Sequence, residues 1–171
     1  MKKDTKKEPK YAMAHRTDKG LAEEAYTILD DLLAAEHGEL VDATVGIAWR
    51  YQEGEDADGH TKLGQAKLMG DFGYATTGYD VIIVLNYKWF NETTPAQRKA
   101  LIDHELCHVA VVEDENEDPM VWADGRPLLR KRKHDLEEFH EIVARHSLWK
   151  DDIKAFVKAA QLTLAFGEKK T

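Results

Sequence analysis

The sequence predicts an α+β fold, because strand-like and helix-like segments share one chain of a length that suits a single core. Tyr79–Tyr87 (YDVIIVLNY) has an unbroken apolar centre, the pattern of a strand covered on both faces. From Thr17 to His37, residues Leu21, Ala25, Ile28, Leu29, Leu32 and Leu33 recur at three- and four-residue steps and fall on one helical stripe. Thr93-Thr94-Pro95 supplies a hydroxyl cap and a first-turn proline, so a second helix is expected from Pro95 to Val112. With 171 residues the chain can bury a core without covalent help.

The other elements follow in order. Residues 1–16 are Lys-rich, contain Pro9 and lack an apolar period, which predicts a flexible basic arm before a domain over 17–165 and a short tail at 166–171. Val41–Tyr51 mixes alternation with β-branched and aromatic residues and reads as a strand. Gln52–Gly59 is an acidic loop. It does not bind calcium as an EF-hand does: with Gly59 at the turn, the first and last ligand positions fall on Gly54 and Gln65. Gly64, Gly70 and Gly73 break Lys62–Thr77 into one or two short strands with bulges or turns. Downstream, an acidic loop at Glu113–Asp118 precedes a hairpin over Met120–Arg130 that turns at Asp124-Gly125. Helices are expected at His134–Arg145 and Asp151–Leu164.

Composition excludes several classes. A single cysteine among 171 residues rules out an internal disulfide and any Cys-rich zinc ribbon. The longest wholly apolar run, Val81–Leu85, is far short of the ~20 residues of a membrane span. Lys2, Lys3, Lys6, Lys7 and Lys10 are followed by no apolar signal core, so a cytoplasmic protein without membrane partners is expected. The net charge is −8, and residues 1–20 carry +4, which leaves −12 on the body. Such a body repels polyanions, so a nucleic-acid role would have to run through the Lys-rich arm or Arg130–Lys133.

Within the second helix lies His104-Glu105-Leu106-Cys107-His108, an HExxH pattern. Residues four apart sit one turn above each other, so His104 and His108 can grip one metal ion. Glu105 is rotated by ~100° and reaches beside the metal, where it can take a proton from water. Neutral imidazoles suit zinc, Zn2+, and a catalytic zinc needs a third protein ligand. Val111 and Asp114 stand where the extended metzincin pattern requires Gly and His, which excludes that subclass. The remaining candidates are His134, Glu137, Glu138, His140, Glu141 and His146, and periodicity alone does not choose among them.

YDVIIVLN, ALIDHELCHV, the acidic hairpin with DGRP and KHDLEEF together resemble the putative phage metallopeptidase family, itself similar to the SprT-like and Spartan-like zinc proteases. The resemblance spans roughly Val41 to Trp149. It implies a compact, single-domain, zincin-like fold, with a small twisted mixed sheet packed on the HExxH helix and further C-terminal helices. It also implies that the third ligand is His134, and that a strand within Lys62–Thr77 forms an edge that holds an extended peptide.

The expected function is therefore a zinc-dependent metallopeptidase acting on a protein or peptide substrate, with metal ligands His104, His108 and His134 and general base Glu105. Two alternatives stand beside it: a non-catalytic, zinc-stabilised interaction protein of a phage or mobile element, and a repressor-cleaving regulatory protease resembling the ImmA/IrrE group. A packing role is expected for Cys107; Tyr74, Tyr79 and Tyr87 are expected to pack, with an oxyanion-donor role as the alternative, and Trp89, Trp122 and Trp149 are expected as core or domain-edge aromatics. Asp135 is either an orienting residue for a ligand or a helix cap. His15, His37 and His60 are expected at the surface or in loops.

Overall fold

The computed structural model describes residues 9–52, 54, 59, 61–134, 143, 145–148 and 151–167. Two compact units divide the chain, one ending at Arg132 and the other beginning at Lys133.

The first unit is built on a mixed four-stranded sheet in the order β1-β2-β4-β3, with β1 at Tyr11–Ala14, β2 at Val45–Arg50, β3 at Gly64–Leu68 and β4 at Val81–Asn86. β1 is antiparallel to β2, β2 parallel to β4, and β3 antiparallel to β4. Every residue of β4 is buried, as its apolar run requires. Val81, Ile83 and Leu85 enter the main core with Ile47, Trp49, Leu29, Leu32, Ile102 and Leu106. On the opposite face Ile82 and Val84 join Ala48 beneath Met13, Met69 and Tyr79. The fold class expected from the sequence is the one observed.

The described residues of this unit also form the α-helices α1 (Leu21–Ala35), α2 (Gly70–Thr77), α3 (Tyr87–Glu92) and α4 (Pro95–Cys107). α1 buries Ala25, Leu29 and Leu32 as its stripe predicts. α4 opens with the expected cap: Thr94 accepts from the Gln97 N–H while the Gln97 side chain accepts from the Thr94 N–H, and Pro95 occupies the first turn.

Three boundaries differ from the sequence reading. Tyr11–Ala14 lies within the segment expected as an arm, yet pairs with β2 from Tyr11–Arg50 to Ala14–Ile47; its Ala14 is buried. Only the second half of Lys62–Thr77 departs from the strand expectation, since Gly70–Thr77 closes into α2 and ends on Gly78 in the left-handed conformation. α4 stops at Cys107 rather than Val112. Val109–Val111 instead forms β5, antiparallel to β6 at Leu129–Lys131, because β-branched residues gain more from pairing than from a further helical turn.

The expected hairpin is a long, two-bridge excursion, Glu113 to Pro119 and Val121 to Pro127. Arg126 anchors it. Its guanidinium reaches Asp80 at 2.9 Å and Asp124 at 2.7 Å and lies 3.6 Å over the Tyr74 ring. The Arg126 hydrogen bond holds the Asp124 carboxyl below its usual range. Asp80 is buried and also accepts from the Thr44 N–H at 2.8 Å.

In the second unit α5 runs from Asp151 to Gly167. Asp151 and Asp152 sit in its positive first turn, and Ile153 is buried. Residues 145 and 146 are helical, and Ser147 closes that turn by donating its N–H to the Val143 carbonyl at 2.8 Å. Most of the helix expected at His134–Arg145 lies outside the described residues, as do His60, Asp135, Glu137, Glu138, His140, Glu141 and Trp149. No helix among the described residues is long and apolar enough to cross a membrane.

Replacing Arg126 by Ala strips the buried Asp80 of its cationic partner. Urea unfolding should show a lower midpoint, because the buried Asp80 carboxylate loses its guanidinium donor and keeps the Thr44 N–H; an unchanged midpoint would mean that the guanidinium does not anchor the hairpin.

Candidate metal centre

The HExxH residues occupy the last turn of α4. Leu101, Ile102 and Leu106 bury the face of the helix that meets the sheet and α1. Two side-chain ties fix its rotation: Arg98 donates to Glu24 of α1 at 2.6 Å, and Asp103 meets the buried His37 ring at 2.7 Å. That orientation leaves His104 exposed, His108 half-buried and Glu105 buried.

The two imidazoles lie together, ring centroids 5.0 Å apart and nearly perpendicular. His108 Nδ1 is 3.0 Å from the Arg132 carbonyl. A carbonyl only accepts, so Nδ1 carries a proton and Nε2 is the nitrogen left for a metal. A backbone acceptor behind the ring is the usual way a metal-binding histidine is oriented. Arg132 is in position because β6 returns antiparallel to β5, and its own N–H donates to the His108 carbonyl at 2.8 Å. The donor chemistry of this pair fits zinc.

Glu105 is placed differently from its neighbours. Its carboxylate points at the edge of the sheet, where Oε2 accepts from the Ala66 N–H of β3 at 2.8 Å. β3 is the last strand in the order, and this amide faces away from β4. A buried carboxylate without such a donor would be costly. Gly64 makes room for it: a Cβ there would stand 2.9 Å from both Cγ and Cδ of Glu105 and closer still to Oε1. A glycine inside a strand pattern signals close approach of another group, so this seat had one trace in the sequence. Nothing in the sequence identified Ala66, which contributes only its backbone.

Of the expected site residues, His104, Glu105 and His108 come together on α4. His134 is exposed and is the second residue of the second unit; His146 is also exposed there. One side residue differs from expectation: Cys107 is exposed rather than packed, since α4 turns its other face to the core. His37 lies in the loop after α1, as expected, and is buried there with its ring against Asp103. His37, Asp103 and Cys107 form a second donor group, with ligand atoms within 4.8 Å of one another. Tyr74 lies beneath Arg126, and Tyr87 packs on Trp49 and Tyr51, so both are structural.

Changing Gly64 to Ala should push the Glu105 carboxylate off Ala66. Hydrogen exchange at the Ala66 amide is expected to accelerate by about tenfold, the equivalent of one ordinary hydrogen bond. Unchanged protection would show that Glu105 does not depend on the glycine.

Neither a curated protein nor a solved structure matches this chain. The model of one family, described as putative phage metallopeptidase, matches residues 20–161, a span that contains β2, β3 and β4 of the sheet and the HExxH turn. That match covers most of the chain: the protein belongs to the putative phage metallopeptidase family.

Proposed function

We propose that this chain is a zinc-dependent peptidase with Glu105 as general base and His104, His108 and His134 as metal ligands. The observation that carries the reading is the contrast within one helical turn. Two imidazoles stand at the surface, one with its tautomer fixed, while the glutamate between them is buried and held by a backbone N–H.

A zinc ion bound there would polarise the scissile carbonyl and acidify a water. Glu105 does the proton work. With Oε2 engaged by Ala66, Oε1 accepts a proton from the attacking water, and the resulting carboxylic acid gives it to the departing amine. The Ala66 N–H limits rotation of the carboxylate, so the base does not have to be ordered when substrate arrives.

Support for His134 comes from the path of the chain. The β5–β6 pair brings Arg132 to His108, and His134 follows two residues later, a span of at most ~7 Å. His146 is twelve residues further along and has no such tether.

Glu105→Gln should retain zinc and lose peptide cleavage by about 10²–10⁴-fold, the usual contribution of a general base. Cleavage by that variant at the wild-type rate would refute the mechanism. Zinc content measured on His134→Ala and His146→Ala tests the ligand set: loss in the first and retention in the second is expected, and the reverse would transfer the role to His146.

A further inference from the structure

We propose that the cleft beside the HExxH turn is a side-chain pocket that admits one large apolar residue of a peptide substrate, adjoining the bond to be cut. The inference rests on the peptidase reading above and goes beyond it by naming what the site prefers. The cleft has a volume of about 500 Å³, within the range of sites that enclose small organic groups.

Its walls set the chemistry. Leu63, Trp89, Ala100 and Leu101 line it with carbon, while His104 and Glu105 form the end nearest the reacting centre. The remaining polar wall is Gln97, whose side-chain oxygen already accepts from the Thr93 hydroxyl at 2.7 Å and the Thr94 hydroxyl at 2.9 Å. The lining contains no Lys, Arg or Asp, and Glu105 is bound to Ala66. An acidic side chain entering here would lose water and meet only the Glu105 carboxylate, whereas an aromatic or long aliphatic one would exchange water for apolar surface.

Its length suits a large group. Along α4, Ala100 is four residues and Gln97 seven residues before His104, or about 6 Å and 10 Å of helix rise. One indole or phenyl ring fills such a distance. β3 provides the approach. Its Gly64 lines the cleft, and a peptide extended past this edge strand would send alternate side chains to the same side. One of those enters the cleft. Ala100 sets the size limit, because it is exposed on the wall and carries only a methyl group.

Two measurements on the full chain test this. The first is cleavage of a peptide library by the zinc-loaded protein and by its Ala100→Trp variant, with folding of the variant checked by its melting temperature. Wild type should prefer Phe, Trp, Leu or Met over Gly or Asp at one position beside the cut by on the order of tenfold or more in kcat/KM, and the variant should lose that ratio. The second is an NMR titration of the wild-type protein with N-acetyltryptophanamide, which should shift the amides of Leu63, Gly64, Ala100 and Leu101 saturably. Cleavage without apolar preference, together with no localised shifts, overturns the pocket and leaves the peptidase standing. No cleavage of any peptide, with saturable shifts at the cleft, overturns the peptidase and keeps the pocket as an apolar-group site. Failure of both removes both.

Discussion

The Glu105 carboxylate and the Ala66 amide meet where α4 lies against the open edge of the sheet, and the site depends on that contact. The carboxylate is buried, so it needs a donor; β3 is an edge strand, so it has an amide to give. Gly64 removes the one side chain that would keep them apart. α4 itself is held from behind by Ile102 and Leu106, at its start by the Thr94 cap, and along its flanks by Arg98 and Asp103. With the helix fixed in rotation, the two histidines stand outward and the glutamate inward. A rotation of one residue would exchange those environments.

The second constraint is the strand that replaces the end of α4. Because Val109–Val111 pairs with Leu129–Lys131, the backbone of Arg132 is delivered to His108 and fixes its proton on Nδ1. A helix continued to Val112 would leave that imidazole without this backbone acceptor. The long hairpin between β5 and β6 is in turn clamped to the sheet through Arg126 and the buried Asp80. Residues far from the HExxH turn therefore determine the setting of one of its rings.

Much of this was legible in the sequence where a pattern had a single physical reading. The run Val81–Leu85 could satisfy its apolar residues only at the centre of a sheet, and Thr94-Pro95 with Gln97 marked the start of α4. HExxH placed three side chains on one turn. What failed was decided by partners distant in sequence. Val109–Val112 carries helical spacing and β-branched residues at once, and pairing with Leu129–Lys131 settles the conflict. Tyr11–Ala14 is too short to show a period, so only β2 makes it a strand. The burial of His37 within its loop depends on Asp103, sixty-six positions away. The seat of Glu105 is a backbone amide, which leaves no residue-type signal.

The central claim concerns which side chains hold the metal, and X-ray absorption at the zinc edge of the loaded protein tests it most directly. Ligation by His104, His108 and His134 predicts three imidazole nitrogens at ~2.0–2.1 Å, one further light atom and no sulfur. A sulfur scatterer at ~2.3 Å would instead put the ion on the Cys107 group with His37 and Asp103, and would contradict the assignment.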